Sequence, residues 1–168
     1  MKFELKALSP DAVSRALEKA ERYRLLNEPG EAESICLDVL DVEPANQEAL
    51  VMLLLAITDR FEMEPSAPVE DARHVIERLR GDYERAYYSG IVLERRAKAH
   101  LRRGIPGGGP DAYEWLREAM ADYERAEAIR PAGNDDALLR WNACARLIMR
   151  DHQLVPPVES LGEPLMLE

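Results

Sequence analysis

Apolar residues in this chain recur three and four positions apart, and glycine or proline interrupts the pattern at intervals. That spacing places apolar side chains on one face of a helix, whereas a half-buried strand would alternate with period two, which no useful length of the chain does. The expectation is an all-α fold of about seven helices joined by short loops. Val13, Ala16, Leu17, Ala20 and Tyr23 mark the first helix, ended by Asn27-Glu28-Pro29-Gly30. Ala32, Ile35, Cys36, Val39 and Leu40 mark the second, stopped at Pro44-Ala45-Asn46. The third, around Leu50, Leu53, Leu54 and Ile57, is apolar almost all round and is expected in the middle of the fold. Arg60 to Ala67 reads as a loop. Pro68 suits the first position of a short fourth helix through Ala72, Val75, Ile76 and Leu79, closed by Gly81.

Asp82 is placed to cap a fifth helix to about Arg103, with Tyr83, Ala86, Tyr87, Gly90, Leu93, Ala97 and Leu101 on one stripe. Ile105 to Pro110, with its three glycines, reads as a flexible break. Asp111 then caps a sixth helix facing Trp115, Leu116, Ala119, Met120, Tyr123 and Ala126 inward, until Pro131-Ala132-Gly133. The seventh runs roughly from Asp135 to Asp151 with Ala137, Trp141, Cys144 and Ile148 along it. The organisation is an N-terminal extension over 1–10, a helical domain over 11–150 and an extended tail over 151–168.

Composition narrows the function classes. The 168 residues carry 22 Lys and Arg against 32 Asp and Glu, a formal charge of −10, which disfavours nucleic acid or an anionic membrane as partner. Two cysteines, Cys36 and Cys144, lie inside helical patterns and read as small core residues rather than a disulfide framework. The first residues hold no apolar h-region and no apolar run approaches membrane-spanning length, so a reducing cytoplasm is the expected compartment.

Two stretches repeat one pattern. Glu31-Ala32-Glu33-Ser34-Ile35-Cys36 through Val39 to Pro44 matches Glu118-Ala119-Met120-Ala121-Asp122-Tyr123 through Ala126 to Pro131. Each has a small residue, a larger one four later, a small or β-branched one three beyond, and a closing proline. This resembles the second helix of a tetratricopeptide repeat. Ala20 and Tyr23, then Ala97, His100 and Gly104, resemble the preceding first helices more loosely. The resemblance covers residues 11–150 and implies a solenoid of helical hairpins, three degenerate repeats plus a final unpaired helix. It implies a curved stack with a trough lined by the first helix of each pair. The same helices wrapped into a closed bundle would offer no such trough.

Enzymatic chemistry finds little support in the sequence. His74, His100 and His152 lie far apart, with no HExxH or CxxC spacing for zinc. The glycine run lacks the Lys-Ser/Thr of a phosphate loop, and Ser89 lacks the flanking glycines of a nucleophile elbow. Acidic pairs such as Glu62/Glu64 and Asp135/Asp136 read as solvated, and acid–base work by any of them would need an apolar pocket, beside His100 or His74 for instance. No metal or cofactor is expected.

Charge position is more informative. Residues 1–80 carry 10 basic and 17 acidic groups, whereas residues 81–130 carry 9 of each. Arg95, Arg96, Lys98, Arg102 and Arg103 concentrate positive charge in the fifth helix. As the first helix of a pair, its groove face would be Ile91, Glu94, Lys98, Leu101 and Arg102, and that of the seventh Leu138, Asn142, Ala145 and Arg146. Lys98, Arg102, Asn142 and Arg146 would converge on one side, a set suited to a carboxylate or acidic peptide. Glu94 four residues before Lys98 also supports the helix itself. The first two groove faces would offer Leu17, Glu21 and Arg24, then Glu48, Val51, Leu55 and Asp59. These are not the Lys, Asn and Arg set with which some members of the family clamp the C-terminal carboxylate of heat-shock chaperones, and that role is not carried over. Tyr88, off the apolar stripe, is the aromatic most expected at the surface.

The tail holds three prolines but also Leu154, Val155, Val158, Leu161, Leu165, Met166 and Leu167. It is expected either to cap the open end of the stack or to dock in a neighbouring copy and make a homodimer. The functional expectation is a cytoplasmic, non-catalytic adaptor that binds a protein or peptide partner along the trough. A self-associating scaffold and an enzyme with a carboxylate–histidine pocket are the alternatives.

Overall fold

A computed structural model describes residues 3–64 and 69–157. Among them the chain forms seven α-helices and no strand: α1 (Val13–Leu25), α2 (Pro29–Val42), α3 (Gln47–Asp59), α4 (Val69–Glu77), α5 (Asp82–Arg102), α6 (Gly109–Ala128) and α7 (Asp136–Arg150). Each helix packs on its sequence neighbours, and α1–α3 and α3–α5 also touch. The core falls into two clusters, one of α1–α4 around Leu50 and Leu54 with Val92 and Ala99 of α5, the other of α5–α7 around Leu116 and Tyr123. Tyr88 packs against both. It is half-buried, and burial pushes its hydroxyl up to about 12, so it is not the surface aromatic expected.

Local chemistry explains most boundaries. Asn27 closes α1 in the left-handed region (φ 62°), with backbone bonds from Asn27 and Glu28 back to Arg24 and Tyr23. Pro29 then opens α2 at a position that needs no N–H. Asn46 caps α3, its side-chain oxygen accepting from the Ala49 N–H at 2.9 Å. Pro68 lies outside the described residues.

Three expectations need correction. Gly81, not Asp82, is the N-cap of α5, and Asp82 is its first residue. Asp111 is no cap either: α6 begins at Gly109, so Pro110 lies in its first turn and the break is shorter than read. The backbone of Gln153 lies against Gly109 and leaves no room there for a Cβ. The stretch after α3 is not simply loop, because Arg60–Glu62 forms a 3-10 turn that buries Phe61. Arg103 donates to the Phe61 carbonyl and fixes that turn to the end of α5.

The repeated positions behave alike. Ala32, Cys36 and Val39 in α2 and Ala119, Tyr123 and Ala126 in α6, at identical offsets, are all 0% exposed. The small residues allow close approach: Gly90 of α5 lies under the Tyr123 ring, with room for no Cβ. Of the tail, residues 151–157 are described and hold no helix, and Leu154 is buried in the second cluster. The capping or docking expected of the remainder falls on residues 158–168, outside those described.

Candidate functional site

Residues of α1, α3, α5 and α7, with the turns that follow α1 and α3, line a recess of about 360 Å³. Arg24 comes from the end of α1 and Asp59 from the end of α3; Glu94, Arg95 and Lys98 come from α5 and Arg140 from α7. Their charges form two groups. Asp59 accepts from Arg24 Nε at 2.7 Å on one carboxylate oxygen and from Arg95 on the other. Arg95 also donates to Thr58 Oγ1 at 2.6 Å. Burial lowers the Arg95 pKa against the pull of Asp59, and a guanidinium stays charged regardless.

Glu94 anchors the second group. Its side chain is 1% exposed, yet Lys98 and Arg140 both reach one carboxylate oxygen, Arg140 at 3.3 Å, while the Tyr123 hydroxyl donates to the other at 2.6 Å. Burial by itself would raise this carboxyl. The hydrogen bonds from Lys98 and Tyr123 and the charges of Lys98 and Arg140 outweigh it, and Glu94 is held below its ordinary value. In return, burial and Glu94 push Tyr123 upward, and Arg140 is raised because Glu94 overcomes its partial burial.

Stoichiometry is the main property of the recess. Arg24, Arg95, Lys98 and Arg140 are four cations that share two carboxylates, Asp59 and Glu94. Glu62 on the rim is taken by Arg102. Two positive charges are left over inside a chain whose formal charge is −10. Lys98 and Arg140 remain 33% and 38% exposed, so both still reach solvent.

Of the groove residues Lys98, Arg102, Asn142, Arg146, Glu94 and Arg24 expected from sequence, the recess brings together Arg24, Glu94 and Lys98. Arg102 is at the rim, 63% exposed against Glu62. Asn142 is half-buried and Arg146 exposed; neither lines the recess. The α7 cation is instead Arg140, three residues after buried Ala137 and four before buried Cys144, hence on the packed stripe. Its spacing marks a cation on an apolar stripe but does not say which neighbour that stripe faces. Asp59 and Arg95 were visible as groove-face or basic residues, but not as partners.

The histidines lie elsewhere. His74 and His152 are exposed, and His100 packs edge-on to Trp115, with its buried Nε2 unpartnered among the described residues. Arg96 also lies over the Trp115 ring, 3.9 Å from its centroid. The desolvated carboxylate, Glu94, has no histidine partner and is held ionised. Both thiols are fully buried and pushed up to about 12 by that burial. Among the described residues no group of His, Cys, Asp and Glu is arranged to hold a metal, and no helix is long and apolar enough to cross a membrane. Comparison with protein-family models, curated proteins and solved structures finds no match for this chain.

Proposed function

We propose that this chain is a non-catalytic interaction domain, a tetratricopeptide-like stack of helical hairpins that binds an acidic segment of a partner protein in the recess. One observation carries the reading: the recess is lined from α1, α3, α5 and α7 and takes nothing from α2, α4 or α6. Stacked hairpins turn the first helix of every pair to the same side, which makes such a lining. The neighbour-to-neighbour packing and the matched buried positions of α2 and α6 support the same architecture.

The charge count sets the ligand class. Two carboxylates of an incoming segment would neutralise the surplus cations, and guanidinium forks already half-used by Asp59 and Glu94 keep free N–H donors for them. The formal charge of −10 makes the surface as a whole repel acidic chains, and the surplus of positive charge in the recess acts against that background.

A random dodecapeptide display library panned on the protein tests this. The expected pool is enriched in Asp and Glu. Its members should lose affinity about tenfold in Arg24→Gln and Arg140→Gln and weaken as salt rises. A library that yields no peptide, or peptides indifferent to both substitutions, would refute the reading.

A further inference from the structure

Beside the recess lies a second concavity, of about 550 Å³, whose chemistry is the opposite. The two share a wall, Asn27, the left-handed residue that turns α1 into α2. The lining of the second includes Leu37 of α2 and Met63 after the 3-10 turn, 50% and 53% exposed. A lone exposed leucine calls for no explanation, but two large apolar side chains in one concavity leave an apolar floor unpartnered. Leu25, 83% exposed, is an apolar side chain in the lining of the recess.

Around that floor stand Glu28, Glu33 and Glu64 against a single cation, Arg60. Arg60 is already engaged by both Glu33 and Glu64, the latter at 2.7 Å, and those hydrogen bonds hold it above its ordinary value. Three carboxylates to one cation leave this concavity negative, where the recess is positive.

We propose that the groove across Asn27 is the second half of one binding surface, and that it takes an apolar side chain flanked by Lys or Arg. This rests on the recess being a peptide site. The partner is then a bipartite segment, acidic where it meets Arg24, Arg95, Lys98 and Arg140, and apolar with a basic neighbour where it meets Leu37, Met63 and Glu28. Both concavities have Asn27 in their lining, and the proposed segment is an extended chain, rising ~3.3 Å per residue, that crosses this residue. Opposite charge in the two halves fixes the direction of the segment, since a reversed one would set like charges together in both.

The dodecapeptide selection separates the two levels of the proposal. On the unaltered protein, the pool should pair an acidic half with a Leu, Ile, Phe or Met beside Lys or Arg. Individual peptides, measured by fluorescence anisotropy, should bind the Leu37→Glu/Met63→Glu double variant about tenfold more weakly, as loss of one buried apolar side chain requires. Glu28→Gln removes only an exposed charge at the N-cap of α2, where the side chain makes no capping bond, and should weaken the peptides whose basic residue sits there, about threefold. It guards against a folding defect in the double variant. Peptides that bind both groove variants within twofold of the unaltered protein, yet still fail on Arg140→Gln, would overturn the second half and leave the recess standing. Peptides indifferent to Arg140→Gln as well would overturn both.

Discussion

Replacing Glu94 with glutamine removes one negative charge from a site that is 1% exposed and leaves its shape intact. The consequences follow from its three partners. Tyr123 can still donate to the amide oxygen, but a bond to a charged acceptor becomes a neutral one, a loss of about 1 kcal/mol. Lys98 and Arg140 lose their shared counter-charge, and because each is about a third exposed, water screens that loss to no more than about 1 kcal/mol apiece. The sum is about 2–3 kcal/mol, below the ~3–5 kcal/mol for breaking a fully buried pair. In a chain of this size it corresponds to a melting temperature lowered by about 5–10 °C. The pH dependence is the sharper readout. Glu94 in the folded chain lies below its ordinary 4.5, so its contribution is complete above that value and is lost as pH falls past it and through the folded value. Urea melts followed by helical circular dichroism should show the gap between the two proteins full at neutral pH and closing below about pH 4.5. A gap that persists unchanged into acid, or no gap at neutral pH, would refute the claim that this carboxylate is held ionised by its neighbours.

Glycine substitutions read the packing directly. Gly90→Ala should destabilise the protein by about 2 kcal/mol despite alanine's better helix propensity, because the new Cβ would sit 2.5 Å from Tyr123 Cε1 in a fully buried ring. Gly30→Ala, with nothing within 4 Å of the added Cβ, should stabilise by about 0.5–1 kcal/mol in the same urea melts. Leu154→Ala should cost about 2–3 kcal/mol if the tail seals the second core, whereas exposed Val155→Ala should stay within about 0.5 kcal/mol; equal effects would remove the sealing role.

What the sequence made legible was the work of periodicity. The stripes Ala32–Cys36–Val39 and Ala119–Tyr123–Ala126 lie where spacing places them, because an apolar helix face has only one side to hide. Caps were read less well. Asp82 and Asp111 are common cap residues, but the chain enters α5 and α6 through Gly81 and Gly108, and the aspartates serve the first turn instead. Phe61 was hidden among charges, and only tertiary contact shows that its turn is packed. For the recess, Arg24, Glu94 and Lys98 were accessible because charges at helical spacing share a face. Arg140 was not, because the seventh helix is rotated so that its packed stripe, not its polar one, borders Glu94. Rotation about a helix axis is set by the neighbour's side chains, and a single helix's spacing does not specify it.

The central claim is that ligand enters the recess between the odd-numbered helices. Titrating a selected acidic peptide into isotope-labelled protein and following arginine side-chain Nε–H resonances by NMR tests this most directly. Saturable shifts are expected at Arg24, Arg95 and Arg140, with Arg73 and Arg117 on α4 and α6 unmoved. Shifts confined to Arg73, Arg117 and Arg125, with the recess arginines silent, would contradict it.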